Sequence, residues 1–251
     1  MRHCVAPLLV IANLPSDFSL ADLQLSEQDR QSIRINTAKY QGLDLLEVIL
    51  DGMTFTLRYH NAEETRANHG IGALRRLFCD TPSQSAAAIS IALGENMADG
   101  KHIAAVNRAY LRLALSIGNN VAATHAAWLP AGQIAGLDYF SGPVTDYVNG
   151  GPLPVAVQIA ITENATGRFE TTGLDYFAGQ DIRLETPDGF PANEAIKRLV
   201  RIAHDIATNG KFDGEIKTSG MAKNEQLLFR PSEDGRYLYV SVNLLETSRV
   251  R

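Results

Sequence analysis

A chain of 251 residues, 45% hydrophobic and 20% charged, is long enough to bury one large α+β core or two smaller ones. A formal net charge of −5 argues against a nucleic-acid binder, which needs a basic face to meet phosphates; it predicts that a charged partner, if there is one, is basic. No run approaches the roughly 20 apolar residues of a membrane span, and Cys4 and Cys79, without a C-x-x-C, read as free thiols of a reducing compartment. The expected location is the cytoplasm.

The apolar run 5–12 is broken by Pro7 and lacks an Ala-x-Ala cleavage site, so it reads as a first strand over 8–12 and not as a signal peptide. Residues 16–39 are polar, with a short helix at 19–25. Runs at 43–50 and 53–59 flank Asp51-Gly52, a pair that tolerates the positive φ of a type I′ turn, and so predict a hairpin. Asn61 caps a helix, with Glu63 and Glu64 in its first turn. Ala67, Ile71, Leu74 and Phe78 fall at helical spacing, so the helix is expected to run until Thr81-Pro82.

A buried strand is predicted at 86–93 and a helix at 101–117 with Ile103, Val106, Tyr110, Leu113, Ala114 and Ile117 on one stripe. Gly118-Asn119-Asn120 should cap it, before a strand at 121–128. The Gly/Pro-rich stretch 131–154, with a short helix at 144–148, reads as a connector between an N-terminal half, 1–130, and a C-terminal half, 155–251. Three strands follow within 155–185. A helix over 194–208, capped by Asn193, presents Ile196, Leu199, Val200, Ala203, Ile206 and Ala207 inward, with Lys197, Arg198, Arg201 and Asp205 outward. A strand at 215–218 precedes a last hairpin pairing 226–230 with 237–244. The fold expected is α+β: mainly antiparallel sheets with helices on one face, in two ferredoxin-like halves.

Gly-Leu-Asp-Tyr-Phe occurs at Gly136 and again at Gly173, read here as two similar turns leading into strands, with Leu and Phe buried and Asp-Tyr exposed. None of the six histidines forms H-x-H, H-x-x-x-H or H-E-x-x-H, and no G-x-S-x-G elbow, P-loop or calcium loop is present. No catalytic, cofactor-binding or metal-binding residue is therefore assigned. His125, on a core strand, reads as a satisfied core histidine. An enzyme would have to assemble His60, His69, His102 and His125 in space.

Phe169-x-Thr171-x-Gly173-Leu174-x-x-Phe177-x-x-x-Asp181-Ile182, followed by Leu199-x-x-Ile202-Ala203 and Gly210-x-x-Asp213-Gly214, resembles an uncharacterised family of bacterial α+β proteins, a domain of unknown function. The resemblance is closest over 155–214 and covers 45–128 in element order. No catalytic residue is established for that family, so none is carried across. Its members resemble genes of bacterial conflict loci, including neighbours of secretion-system toxins. That implies a non-catalytic immunity protein, a monomer or weak dimer without cofactor, which binds and neutralises a cognate toxin such as a basic type VI secretion nuclease effector. An effector chaperone is the alternative binding role. The interface residues expected from the connector and glycine turns are Asp138, Tyr139, Asp146, Tyr147, Asp175 and Tyr176, tyrosines being good anchors.

Overall fold

The structure, a computed structural model, describes residues 6–36 and 45–245. His3, Cys4 and the first two residues of the expected hairpin arm lie outside them. The chain divides into two compact units, Met1–Val157 and Gln158–Arg251, each built on its own sheet.

In the first unit β1 (Leu8–Ala12) is followed by a 3-10 turn at Leu20–Asp22, α1 (Glu27–Arg30) and β2 (Ile33–Asn36). Next come β3 (Leu45–Leu50), β4 (Met53–His60), α2 (Ala62–His69), β5 (Arg75–Leu77) and β6 (Ala87–Leu93). A 3-10 segment at Glu95–His102 leads to α3 (Ala104–Asn120), β7 (His125–Trp128), β8 (Gln133–Gly136) and α4 (Leu137–Val148). The eight strands lie in the order β2-β3-β4-β6-β1-β7-β8-β5, with β5 parallel to β8 and the other pairs antiparallel.

The hairpin forms as its sequence predicts: Leu50 pairs with Met53, and Asp51 and Gly52 hold φ of 51° and 79°. β1 is buried along its whole length because both sheet faces are covered. Leu9, Ile11, Ala88, Ala127 and Ile134 form one core layer beneath Ile71 and Ala86. α3 also packs on β1; its Tyr110 stands edge-on to Phe55 (5.3 Å) and Trp128 (6.2 Å), and the hydroxyl donates to the Ile91 carbonyl. Each such ring contributes on the order of 1.5–3 kcal/mol by leaving water.

Three helix boundaries differ from the pattern reading. α2 ends at His69, because Gly70 adopts φ 55° and closes it; Ile71 and Leu74 reach the core from a separate 3-10 turn, Ile71–Ala73, and its C-cap, not from the face of α2. α3 runs through Gly118-Asn119-Asn120 to Asn120. A Cβ on Gly118 would stand 3.1 Å from a Leu137 methyl, so this glycine allows close packing and does not cap the helix. Ile103 precedes α3 and is 54% exposed. The Gly/Pro-rich stretch carries β8 and the whole of α4, which buries Phe140, Val144 and Tyr147 at i, i+4 and i+7. Pro143 sits inside that helix, removing the N–H that would close on the Tyr139 carbonyl.

The chain passes through α5 (Val155–Gln158) into the second unit: β9 (Ala160–Glu163), β10 (Phe169–Thr172), α6 (Asp175–Ala178), β11 (Asp181–Glu185) and α7 (Ala192–Asn209). β12 (Ile216–Ser219), β13 (Glu225–Pro231) and β14 (Tyr237–Leu244) complete it. The sheet order is β12-β13-β14-β11-β10-β9, and only β11 and β14 run parallel. The class is α+β with mainly antiparallel ladders. Sheets of eight and six strands, each with one parallel pair, are larger than the four-stranded ferredoxin-like unit.

α7 begins one residue after Pro191, which occupies the N-cap position, so Asn193 lies inside the helix. Its buried stripe is Ala195, Arg198, Leu199, Ile202, Ala203 and Ile206, while Ile196 and Val200 are 40% and 39% exposed. Arg198, expected outside, is drawn in by Glu225: Nε donates to Oε1 at 2.8 Å, a second nitrogen donates to Oε2, and a third contact reaches Oε2 of Glu194 at 3.0 Å. The Phe190 ring lies 4.8 Å from the guanidinium.

Candidate functional site

The two Gly-Leu-Asp-Tyr-Phe copies perform the same local task, turning a strand into a helix: β8 into α4, and β10 into α6. They lead into helices, not strands, because the aspartate of each enters the first helical turn. Their glycines serve different needs. Gly173 holds φ 96°, open to glycine and strained for other residues. Gly136 has an ordinary φ of −59°, but a Cβ there would meet the Phe78 carbonyl at 3.1 Å and the Cys79 Cβ at 3.4 Å.

Of the six expected interface residues, Asp138 and Asp146 are exposed in the first unit and Asp175 in the second. Tyr139 and Tyr176 are half-buried; Tyr176 stands edge-on to Phe177. Tyr147 is a correction: it is buried, its hydroxyl near Asn107 (3.5 Å) and the Ala104 carbonyl (3.4 Å), with Arg108 over its ring. The i, i+7 spacing from Phe140 points it into the core.

Tyr139 has a neighbour that helical spacing concealed. The expected α2 would have buried Phe78. The structure ends the helix at His69, forms β5, and leaves Phe78 at the strand's end, 81% exposed and with φ 48°. A positive φ is an outlier for a bulky residue and costs on the order of 1–3 kcal/mol. The Phe78 ring lies 4.5 Å from the Tyr139 ring at 32°. Gly136 fits tightly under the Phe78 backbone, and Cys79 Sγ, a free thiol, contacts the Ile134 carbonyl at 3.6 Å. Exposed Arg75, Arg76, Asp80 and Asp138 surround the pair in sequence. An aromatic pair on water, flanked by charges and held on a strained backbone, has the composition of a protein-binding hot spot.

Two of the four suspected histidines also meet. His60, at the end of β4, and His69, at the end of α2, stack edge to face at 4.6 Å. His60 Nε2 is 2.9 Å from Ser90 Oγ, and its Nδ1, without a hydrogen-bond partner, is 3.9 Å from Glu64. The order serine, histidine, carboxylate is that of a nucleophilic triad, but its chemistry is wrong for a base. Burial, then the charges of His69 and Arg58, hold His60 down to about 4, where a general base for work near pH 7 is weak. Ser90 is itself buried, in the sheet's interior. The pair instead fastens α2 to β4 and β6. His125 is satisfied elsewhere: Nε2 faces the Asp80 carbonyl at 3.1 Å and Nδ1 the Thr124 hydroxyl at 2.7 Å. His102 lies in the 3-10 segment before α3. Among the described residues no group of three His, Cys, Asp or Glu side chains is placed to hold a metal ion, and no helix is long and apolar enough to cross a membrane.

No family model matches the chain, and neither the curated proteins nor the solved structures contain a match.

Proposed function

We propose that this chain is a non-catalytic binding protein that engages another protein at the Phe78–Tyr139 pair. The observation that carries the reading is Phe78 itself, an aromatic ring 81% exposed on a backbone conformation that disfavours it. Such strain persists where surrounding structure enforces it, and it clusters at functional positions. The weak basicity of His60 and the burial of Ser90 support binding over catalysis.

Within that class we infer a toxin-neutralising immunity protein acting in the cytoplasm. The resemblance at 169–182 and the acidic net charge support it, the latter through attraction to a basic toxin. Co-expression with the product of the neighbouring gene tests it: cells should survive the toxin with this chain and lose that protection with Phe78→Ala. A complex that forms without inhibiting the toxin assigns the chaperone role instead. Absence of both rescue and complex rejects the immunity reading.

A further inference from the structure

Resting on the protein-binding reading above, we propose that the partner adds an extended segment to the open edge of β5, with carboxylates opposite Arg75 and Arg76 and an apolar side chain on the Phe78–Tyr139 pair. β5 is the last strand of its sheet, and among the described residues no strand pairs with its outer side. The Arg75 N–H donates to the Gly132 carbonyl at 2.8 Å, and Arg75 and Leu77 stand in register with Gln133 and Ala135. Successive peptide groups of a strand point to opposite sides, so the N–H and C=O of Arg76 face outward. A free donor and acceptor on a sheet edge are a template for another strand.

The side chains specify what that strand carries. Arg75 and Arg76 are both exposed and, being adjacent in a strand, stand on opposite faces of the sheet. The Arg76 guanidinium is held by the Thr81 hydroxyl, a neutral partner that leaves its charge to act on an incoming group. An added strand therefore meets one arginine on each face, which favours consecutive carboxylates. Immediately beyond, the positive φ of Phe78 ends β5 and sets its ring against Tyr139, so an apolar residue following the carboxylates reaches the aromatic pair. Exposed Asp80 and Asp138 lie past that point and repel further acidic residues, which sets the register.

The test titrates an acetylated Thr-Glu-Glu-Leu-Val-Thr peptide, with a Lys-Lys counterpart as control, into the full-length 15N-labelled chain. The acidic peptide should slow exchange of the Arg76 amide by about tenfold and shift the amides of residues 75–78, while the lysine peptide does neither. Arg76→Pro removes the outward N–H together with the guanidinium and should abolish the shifts at residues 75, 77 and 78 with circular dichroism unchanged, whereas Arg76→Ala, which keeps the N–H, should only weaken them. An Arg76 amide left unprotected at saturation, or equal binding of the lysine peptide, overturns the proposal. So does a β5-mediated dimer of the chain, which would assign the edge to a second copy. With the neighbouring-gene product as ligand, loss of affinity in Phe78→Ala but none in Arg76→Pro rejects strand addition and leaves the binding reading standing. No loss in either variant rejects both.

Discussion

Thr171 donates its hydroxyl to Asp181 Oδ1 at 2.8 Å and, through the same oxygen, accepts the backbone N–H of Ile182 at 2.7 Å. The Leu174 N–H reaches the same carboxylate oxygen at 3.1 Å. One threonine and one aspartate thus tie the end of β10 to the start of β11 across the Gly173 turn, with Leu174, Phe177 and Ile182 buried around them. This explains in physical terms why Phe169 to Ile182 carries the densest pattern in the chain. Every named position of that stretch is a core plug, a turn glycine or part of this hydrogen-bonded link.

Thr171→Val keeps the shape and removes the link, leaving the buried Ile182 N–H without its acceptor. The expected loss is about 1–3 kcal/mol in chemical denaturation of the second unit, with Thr171→Ser retaining most of the stability.

Burial, assisted by Asp175 and opposed by the Thr171 hydrogen bond, pushes the Asp181 carboxyl up to about 6. The folded unit therefore binds this proton more tightly than the unfolded chain does. Its contribution, on the order of 3 kcal/mol, is present in full below pH 4 and is lost as pH rises through 6. Asp181→Asn, neutral and still an acceptor, should abolish that slope and exceed wild type in stability at pH 8. Denaturant midpoints from pH 4 to 8 check it.

His60 imposes the opposite slope on the first unit. Its folded value, about 4, lies below the ordinary 6.5, so the neutral ring's contribution is present above pH 6.5 and is lost as pH falls through 4. His69 is depressed in the same direction, chiefly by burial, then by Arg58 against the pull of Glu64. Trp128, the single tryptophan, is buried in the first unit and reports it alone. Acidification from pH 7 to 5 should lower the tryptophan-detected midpoint, and His60→Gln should flatten that response.

The Arg198–Glu225 pair separates breaking an ion pair from replacing it. The Glu225 hydrogen bonds raise Arg198 above its usual value, and Arg198 lowers Glu225. Glu225→Ala leaves the buried guanidinium with Glu194 alone and should cost about 3–5 kcal/mol; Arg198→Met with Glu225→Leu should cost less, its remaining loss set by the Ala222 N–H that Glu225 accepts. Thermal unfolding of the two variants makes the comparison.

Much of the fold was legible where one local rule governed. Asp51-Gly52 specified its hairpin, the runs 226–230 and 237–244 specified β13 and β14, and Tyr110 to Ile117 specified α3. The misreadings have a common cause, since periodicity does not say which element supplies a buried side chain. Ile71 and Leu74 keep helical spacing while packing from a separate 3-10 turn, which hid both the end of α2 and the exposure of Phe78. Phe140, Val144 and Tyr147 mark α4 clearly, but Gly142-Pro143 between them reads as a connector. Arg198 looks like a surface residue until Glu225, 27 positions away, is placed against it. Of the candidate site, Tyr139 was visible as an anchor; its partner Phe78 was not, because its exposure follows from the positive φ that ends β5.

That conformation also sets a stability–function contrast. Phe78→Gly relieves the φ strain and should raise first-unit stability by about 1 kcal/mol while removing the anchor. A more stable variant that no longer binds would mark Phe78 as a residue held for recognition.

The most direct test of protein binding at this pair is photocrosslinking in the native host, with p-benzoylphenylalanine replacing Phe78 and, as a control, exposed Lys217. One specific protein adduct should form at position 78, be absent at 217, and disappear when Tyr139→Ala removes the other half of the pair. No adduct at 78, or the same adducts at both positions, would contradict it.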